Sequence, residues 1–175
     1  VDTSIKWTRA VKQDLERGVK YEFSRDRIVP ATYRPFVRRF LYFSPQLNEM
    51  PNLMPRYFGA DGRRRARALV FTDPTSQKPF MSIAVDCCPD MHLVGAAAGS
   101  VVLPLSVDDT GTAIDNVTDW ASDQFRKQYR PGRGKKDRPI TKEAIFHYVY
   151  AVLHDPVYRE KYAINLKREF PRIPF

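Results

Sequence analysis

The sequence has almost no cysteine and lacks the common metal and nucleotide motifs. Its two cysteines, Cys87 and Cys88, are adjacent. Neighbouring cysteines rarely bridge each other, and two ligands are too few for a tetrahedral zinc site. We therefore expect buried, reduced thiols, as in a cytosolic protein. No His-Glu-x-x-His, Cys-x-x-Cys or Asn/Asp-Pro-Pro-Tyr motif is present, and Gly132-x-Gly134-Lys135 lacks the spacing of a phosphate-binding loop.

Long apolar runs are also missing. None approaches the roughly 18 residues of a membrane span, and no signal peptide is legible. With 43% hydrophobic and 13% aromatic residues, the 175-residue chain can still bury a core. It begins with Val1 rather than methionine. We expect residues 1–175 to form a single domain that belongs to a larger multidomain chain.

Positive charge is segregated along the chain. The net charge is +9, yet residues 82–125 contain no Lys or Arg and seven aspartates. That segment is therefore −7, which leaves +16 on the remainder. This separation predicts a basic face suited to phosphates, provided that it persists in three dimensions.

Hydrophobic periodicity predicts an α+β fold, with a small, mostly antiparallel sheet, about four helices and a helical C-terminal third. Strands are expected at 27–43, at 66–73 paired with 80–86 as a hairpin, and at 99–107, with a turn at 108–111. Pro30, Pro35 and Pro104 favour edges, breaks or bulges. Helices are expected at 4–17 with an Asp2 or Thr3 cap, within 117–129, at 142–154 capped by Thr141, and from Asp155-Pro156, with Pro171 and Pro174 ending the ordered pattern.

Two basic segments are candidate contacts for an anionic partner. The first segment leads into the hairpin predicted for 66–73 and 80–86 and includes the tip of that hairpin. It is a candidate because a two-stranded ribbon fits the DNA major groove. The other is a glycine-containing loop at 130–138, which can follow a phosphate track. The predicted DNA-binding residues are Arg63, Arg64, Arg65, Arg67, Gln77, Lys78, Arg130, Arg133, Lys135, Lys136 and Arg138. Phosphate contact is favoured over base contact, and solvated surface charge is the alternative. His92, His147 and His154 are expected to be packing or surface residues.

Residues 33–43 hold five aromatics and three arginines. This composition suggests a strand whose arginines reach an anion, but its proline and aromatics favour a structural edge that packs the domain. Several segments carry a resemblance, in this order: Tyr33-Arg34-Pro35-Phe36, Leu41-Tyr42-Phe43, Leu47-Asn48-Glu49, 86–93, 102–105, 140–151, His154-Asp155-Pro156 and 170–175. Together they resemble the C-terminal target-recognition (specificity) domain of type ISP restriction-modification enzymes, which are helicase-like and carry an adenine methyltransferase. Ser106 and Val107 depart from the family's usual Tyr-Leu ending.

The resemblance implies sequence-specific recognition of duplex DNA by a chain that catalyses nothing itself and positions a neighbouring adenine methyltransferase. It implies no cofactor here, and S-adenosylmethionine, ATP and Mg²⁺ for the parent enzyme. The implied partners are duplex DNA and the methyltransferase and helicase domains of the same chain, with no membrane, in a bacterial or archaeal cytoplasm. The alternative is a scaffold that docks methyltransferase to translocase through aromatic helices at 148–162. A weaker third possibility is an RNA-binding or nuclease accessory module.

Overall fold

The structure is a computed structural model that describes residues 7–76, 78–129 and 139–175. Within these ranges the helices are α1 (Arg9–Glu16), α2 (Met54–Phe58), α3 (Asp119–Gln128), α4 (Lys142–His154) and α5 (Pro156–Lys161). The strands are β1 (Ile28–Arg34), β2 (Val37–Tyr42), β3 (Ala68–Thr72), β4 (Ser82–Val85), β5 (Cys88–Pro89), β6 (Ser100–Pro104), β7 (Ser106–Asp109) and β8 (Thr112–Asp115). The predicted α+β class is confirmed, with small separate sheets and helices in the C-terminal third.

The first sheet is built on a hairpin. Strands β1 and β2 pair antiparallel around a two-residue turn, Pro35-Phe36, and β5 adds in parallel to give the order β2-β1-β5. The break predicted at Pro35 is confirmed, but the edge predicted from Pro30 is wrong, because β1 is the middle strand. Pro30 is tolerated because β5 pairs only with Ala31 and Thr32, so no strand on that side of β1 needs a backbone N–H from Pro30.

The second sheet contains the predicted hairpin. Strands β3 and β4 pair antiparallel, and β6 pairs antiparallel on the other side of β3. The edge predicted from Pro104 is confirmed, since β6 is the outer strand. The single strand predicted at 99–107 is divided at Leu105, and β7 turns away to pair with β8. Their turn, Thr110-Gly111, has both φ angles positive (54° and 88°), as a tight hairpin turn requires.

Local capping signals define the helices. Thr141 Oγ1 accepts from Ala144 N at 3.0 Å, and Asp155 Oδ1 accepts from Tyr158 N at 2.8 Å, so both predicted caps are confirmed. The first helix begins later than predicted, because residues 7 and 8 are not helical and Thr8 provides its cap. No helix in the described part of the chain is long and apolar enough to cross a membrane.

Strand β3 separates two hydrophobic clusters. Its five residues are all buried, and successive side chains point to opposite faces. Val70 packs with Val29 and Phe58 under the β1–β2 hairpin, whereas Leu69 packs with Leu153 of α4 on the other side. The arrangement places the hairpin and α4 on opposite sides of one buried strand.

The C-terminal segment stays docked beyond Pro171, contrary to the expected end of order. The Phe170 ring meets Phe71 edge to face at 6.1 Å. Tyr158 and Tyr148 donate their hydroxyl protons to the carbonyls of Arg172 (2.9 Å) and Pro174 (3.1 Å). The segment lacks regular secondary structure, so its sequence carries no periodic signal for these contacts.

Both cysteines are free and buried, as predicted. The Cys87 Sγ lies 3.2 Å from the Thr32 hydroxyl in β1. Burial, with the nearby Cys87 and Asp90, raises the pKa of the Cys88 thiol to about 12. Cys88 is therefore protonated at neutral pH and serves as a small packing residue.

Candidate nucleic-acid interface

The predicted arginines at 63–67 alternate between two sides of the chain. Arg64 is half-buried and Ala66 is buried, whereas Arg63, Arg65 and Arg67 are exposed. Side chains of an extended segment point alternately to its two sides. We call Arg63, Arg65 and Arg67 the arginine row, because this alternation directs them to the same side, just before β3 begins.

Each arginine of the row forms an ion pair with a carboxylate from another part of the chain. Arg63 pairs with Asp26 at 3.6 Å, Arg65 with Asp86 at 3.2 Å, and Arg67 with Glu143 at 2.6 Å. The arginine side chains remain 49–62% exposed. Such surface pairs contribute only about 0–1 kcal/mol. The pairs orient the guanidinium groups without burying them.

Arg67 also affects its neighbours on α4. Its hydrogen bond to Glu143 holds the pKa of that carboxyl below its ordinary value. Its Nη1 also lies 3.5 Å from the His147 ring nitrogen Nε2. The carboxylate is therefore charged at neutral pH, and Arg67 is tied to the first turns of α4.

A groove of about 400 Å³ lies between the β1–β2 hairpin, β4 and α4. Its lining includes Phe36, Arg38, Arg67, Asp86 and Tyr150. Arg38 donates to Asp86 Oδ1 at 2.9 Å, while Arg65 pairs with the other oxygen of the same carboxylate. Two guanidinium groups on one carboxylate leave a net positive charge at this border. We call this feature the arginine groove.

The sequence alone assigns no definite role to Arg38, whose side chain could contact DNA or support the domain interior. Alternation along a single strand predicts that Arg38 shares a face with Arg34, but the chain turns at Pro35-Phe36 and places the two residues on different strands, so that rule does not apply. What the sequence could not supply is the packing of the hairpin against β4, which brings Arg38 to Asp86 and hence to Arg65.

Arg64 differs from the row. Its guanidinium donates to the carbonyls of Tyr57 (2.9 Å) and Ser106 (3.2 Å) and to the Ser106 hydroxyl (2.7 Å). These bonds tie the end of α2 to the start of β7. Arg64 therefore holds the internal structure together. The sequence signal for this role was the apolar Ala66 two residues later, because residues two apart on an extended segment lie on the same side.

The other predicted residues do not join the row within the described structure. Lys78 is exposed at the β3–β4 tip, whereas Arg67 precedes the opposite end of β3. The five residues of β3 separate the two ends by about 17 Å. Gln77, Arg130, Arg133, Lys135, Lys136 and Arg138 lie outside the described residues.

The aromatic stretch at 33–43 packs the domain only in part. Phe43 is 4% exposed and belongs to the core, as expected. Phe36 and Phe40 are instead 93% and 79% exposed, so the packing role expected for them is wrong. Arg34 pairs with Asp90 at 2.6 Å, beside the strand β5.

The histidines have partners typical of packing or surface residues. His92 Nδ1 lies 2.9 Å from the Ala98 carbonyl oxygen, and His154 Nε2 lies 3.1 Å from the Ser82 hydroxyl. Burial lowers the pKa of His154. No group of three or more His, Cys, Asp or Glu that could hold a metal occurs in ranges 7–76, 78–129 and 139–175.

Fold and groove together define a class: an α+β domain that presents the guanidinium groups of Arg38 and Arg67 in one groove, with Arg65 at its border. The family model described as the Type ISP C-terminal specificity domain matches residues 1–175. The chain belongs to this family, and the resemblance read from its sequence is confirmed.

Solved structures agree with this assignment. The structure described as a DrdV–DNA complex has 39% identity and a TM-score of 0.87, covering 99% of this chain and 16% of its own. A nuclease-deletion mutant of the Type ISP restriction-modification enzyme LlaGI, in complex with a DNA substrate mimic, has 29% identity and a TM-score of 0.73, covering 96% and 14%. The ATP-dependent Type ISP enzyme LlaBIII, bound to DNA, shares the fold at 24% identity with a TM-score of 0.75, covering 97% and 11%.

The chain thus spans only about one sixth or less of these three solved chains. A search of curated proteins returns no match.

Proposed function

We propose that this chain contacts duplex DNA and contributes to target recognition in a Type ISP restriction-modification enzyme. The observation that carries the proposal is the placement of Arg38 and Arg67 in the lining of one groove, with Arg65 paired to Asp86 at its border. The family membership and the DNA complexes of DrdV and LlaGI support DNA as the anionic partner. In this proposal the row and Arg38 contact phosphates and orient the domain on the duplex.

Charge and geometry favour phosphates at this groove. A guanidinium presents a planar fork of donors that matches two phosphate oxygens. The carboxylates that hold the row are exposed, so their water-screened pairs are weak competitors of a DNA backbone. Asp86 faces two arginines at once, so one of them can leave without exposing an unpaired carboxylate.

We include the remaining basic candidates in a wider DNA surface. Lys78 at the β3–β4 tip would contact a second stretch of the duplex, and Gln77 is included on its sequence alone. Arg130, Arg133, Lys135, Lys136 and Arg138 lie outside the described residues and are included on their sequence alone. Arg64 is left out because its donors are used inside the protein.

The finer part of the proposal concerns the parent enzyme. Residues 1–175 would act as one domain of a longer chain, and would position a neighbouring adenine methyltransferase over its target base without supplying catalytic groups. S-adenosylmethionine, ATP and Mg²⁺ would be bound by other parts of that chain. The helicase and methyltransferase domains would then be intramolecular partners.

A second candidate function, docking between the methyltransferase and the translocase, is favoured by a different surface. The aromatic side chains at 148–162 do not offer it: Tyr158 is 8% exposed, and the partly buried Tyr150 and Tyr162 pack against the same hydrophobic cluster. Phe23 and Phe40 offer an exposed surface instead, at 74% and 79% exposure. The Phe23 ring stacks on Tyr42 with a centroid distance of 5.7 Å. Exposed apolar clusters of this kind commonly mark interaction sites.

Exchange of the segment between enzymes separates the two functions. The corresponding segment of a related Type ISP enzyme is replaced by residues 1–175, and the methylated sites are mapped on DNA of known sequence. Target recognition by this segment predicts that methylation moves to a new site. Retention of the host enzyme's original site, with full methylation activity, would favour docking and contradict target recognition.

A further inference from the structure

The turn of the β1–β2 hairpin holds a residue that folding alone does not favour. Phe36 occupies the second position of the Pro35-Phe36 turn with φ at +63°. Glycine adopts positive φ without steric cost, and asparagine tolerates it better than a bulky residue. The Phe36 side chain is also 93% exposed, so the strain is not offset by packing.

The position of this ring relates it to the arginine groove. Phe36 lines the groove that Arg38 and Arg67 also line. Pro35 fixes the backbone on one side of the turn, and Arg34 is held by Asp90 at 2.6 Å. The hairpin therefore presents a rigidly mounted aromatic tip, flanked by guanidinium groups.

We propose that Phe36 is a base-stacking wedge: its ring, at the tip of the hairpin, inserts into duplex DNA and stacks on the bases. This inference rests on the proposed function and deepens it. Apolar side chains that insert between base steps unstack them locally and bend the duplex, and aromatic rings recover the cost by stacking on a base. Arg38 and Arg67 would hold the phosphates on either side of the opened step.

The surroundings favour DNA over a protein as the cover for this ring. The groove that Phe36 lines also holds Arg38 and Asp86, and Asp86 pairs with both Arg38 and Arg65. Guanidinium groups beside the ring match the phosphates that flank any base step, and a DNA backbone requires such cationic partners. The exposed Phe23 ring stacks on Tyr42, which lies at the end of the hairpin away from the turn.

A mismatched duplex provides a test that needs no knowledge of the target sequence. Two fluorescently labelled duplexes of mixed sequence are compared, one fully paired and one with a single central mismatch, because a mispaired base is easier to unstack. The unaltered chain should bind the mismatched duplex several-fold more tightly. Phe36→Gly should weaken binding to both duplexes, by about tenfold for the mismatched one, and should lose the preference.

Matched variants separate a wedge from a structural role. Phe36→Gly relieves the positive φ, so its thermal unfolding midpoint should equal or exceed that of the unaltered chain. Phe36→Trp should retain the mismatch preference because it keeps an aromatic face. Phe23→Ala removes an aromatic that is 74% exposed at the far end of the hairpin and should leave DNA binding unchanged.

The outcomes distinguish this inference from the proposed function. If the unaltered chain binds DNA and Phe36→Gly binds equally well with the same preference, the wedge is wrong and the DNA-binding role stands. If the unaltered chain binds neither duplex at low salt, both are wrong. A loss of affinity accompanied by a lower unfolding midpoint, with no rescue by Phe36→Trp, would assign Phe36 to the fold and overturn the wedge.

Discussion

Replacing Arg65 and Arg67 together by glutamate is expected to lower the affinity for duplex DNA by about 100- to 1,000-fold. A charge-assisted hydrogen bond contributes about 1.5–3 kcal/mol, and both contacts are lost and replaced by repulsion. The fold should tolerate the change, because the Arg65–Asp86 and Arg67–Glu143 pairs are half-exposed and contribute at most about 1 kcal/mol each. Fluorescence anisotropy with a labelled duplex measures the affinity, and circular dichroism verifies folding.

A second double variant controls for net charge. Arg9 and Arg172 also form exposed pairs, with Glu49 at 3.6 Å and Glu169 at 2.8 Å, but neither lines the arginine groove. Their replacement by glutamate changes the net charge by the same amount. We expect a loss of less than about tenfold, since distant exposed charges are screened. Equal losses in the two double variants would show that the row has no specific role.

Gly62→Ala is expected to destabilise the fold by about 2–5 kcal/mol. The φ of Gly62 is +73°, and a Cβ there would lie 2.6 Å from Phe43 Cγ. Phe43 belongs to the buried cluster under the hairpin and cannot move freely. The estimate combines the cost of a left-handed alanine with that of overpacking a core. Chemical denaturation measures the free energy of unfolding.

Gly18→Ala is the matched control for this substitution. The φ of Gly18 is +72°, almost the same, but nothing lies within 4 Å of its added Cβ. It should therefore lose only the backbone contribution, about 1 kcal/mol. If both variants lose the same amount, the contact with Phe43 is not a tight constraint. Because Gly62 directly precedes Arg63, this constraint also fixes where the arginine row begins.

Local features of the fold could be predicted because their causes lie within a few residues. The caps at Thr141 and Asp155 require only a side chain and a backbone amide three residues later. Strand β8 could not be predicted, since all four of its residues are exposed and show no alternation. The division of the 99–107 segment into β6 and β7 likewise depends on which distant strands are available as partners.

The candidate site follows the same rule. The basic stretch at 63–67 was visible as composition, but its separation into an outward row and an inward Arg64 depends on the burial of Ala66. The role of Arg38 depends on hairpin packing that joins residues 48 positions apart. The hydrophobic character of Phe36 predicted that its side chain packs in the domain, whereas the side chain is exposed.

The salt dependence of duplex binding by the unaltered chain tests the central claim most directly. Each phosphate contact contributes about 0.9 to the slope of log affinity against log salt concentration. Contacts from the row and Arg38 alone predict a slope of about −3 to −4, and the Arg65 and Arg67 double variant should flatten it by about 2. A flat response, or no binding at low salt, would contradict a DNA-binding role for this domain.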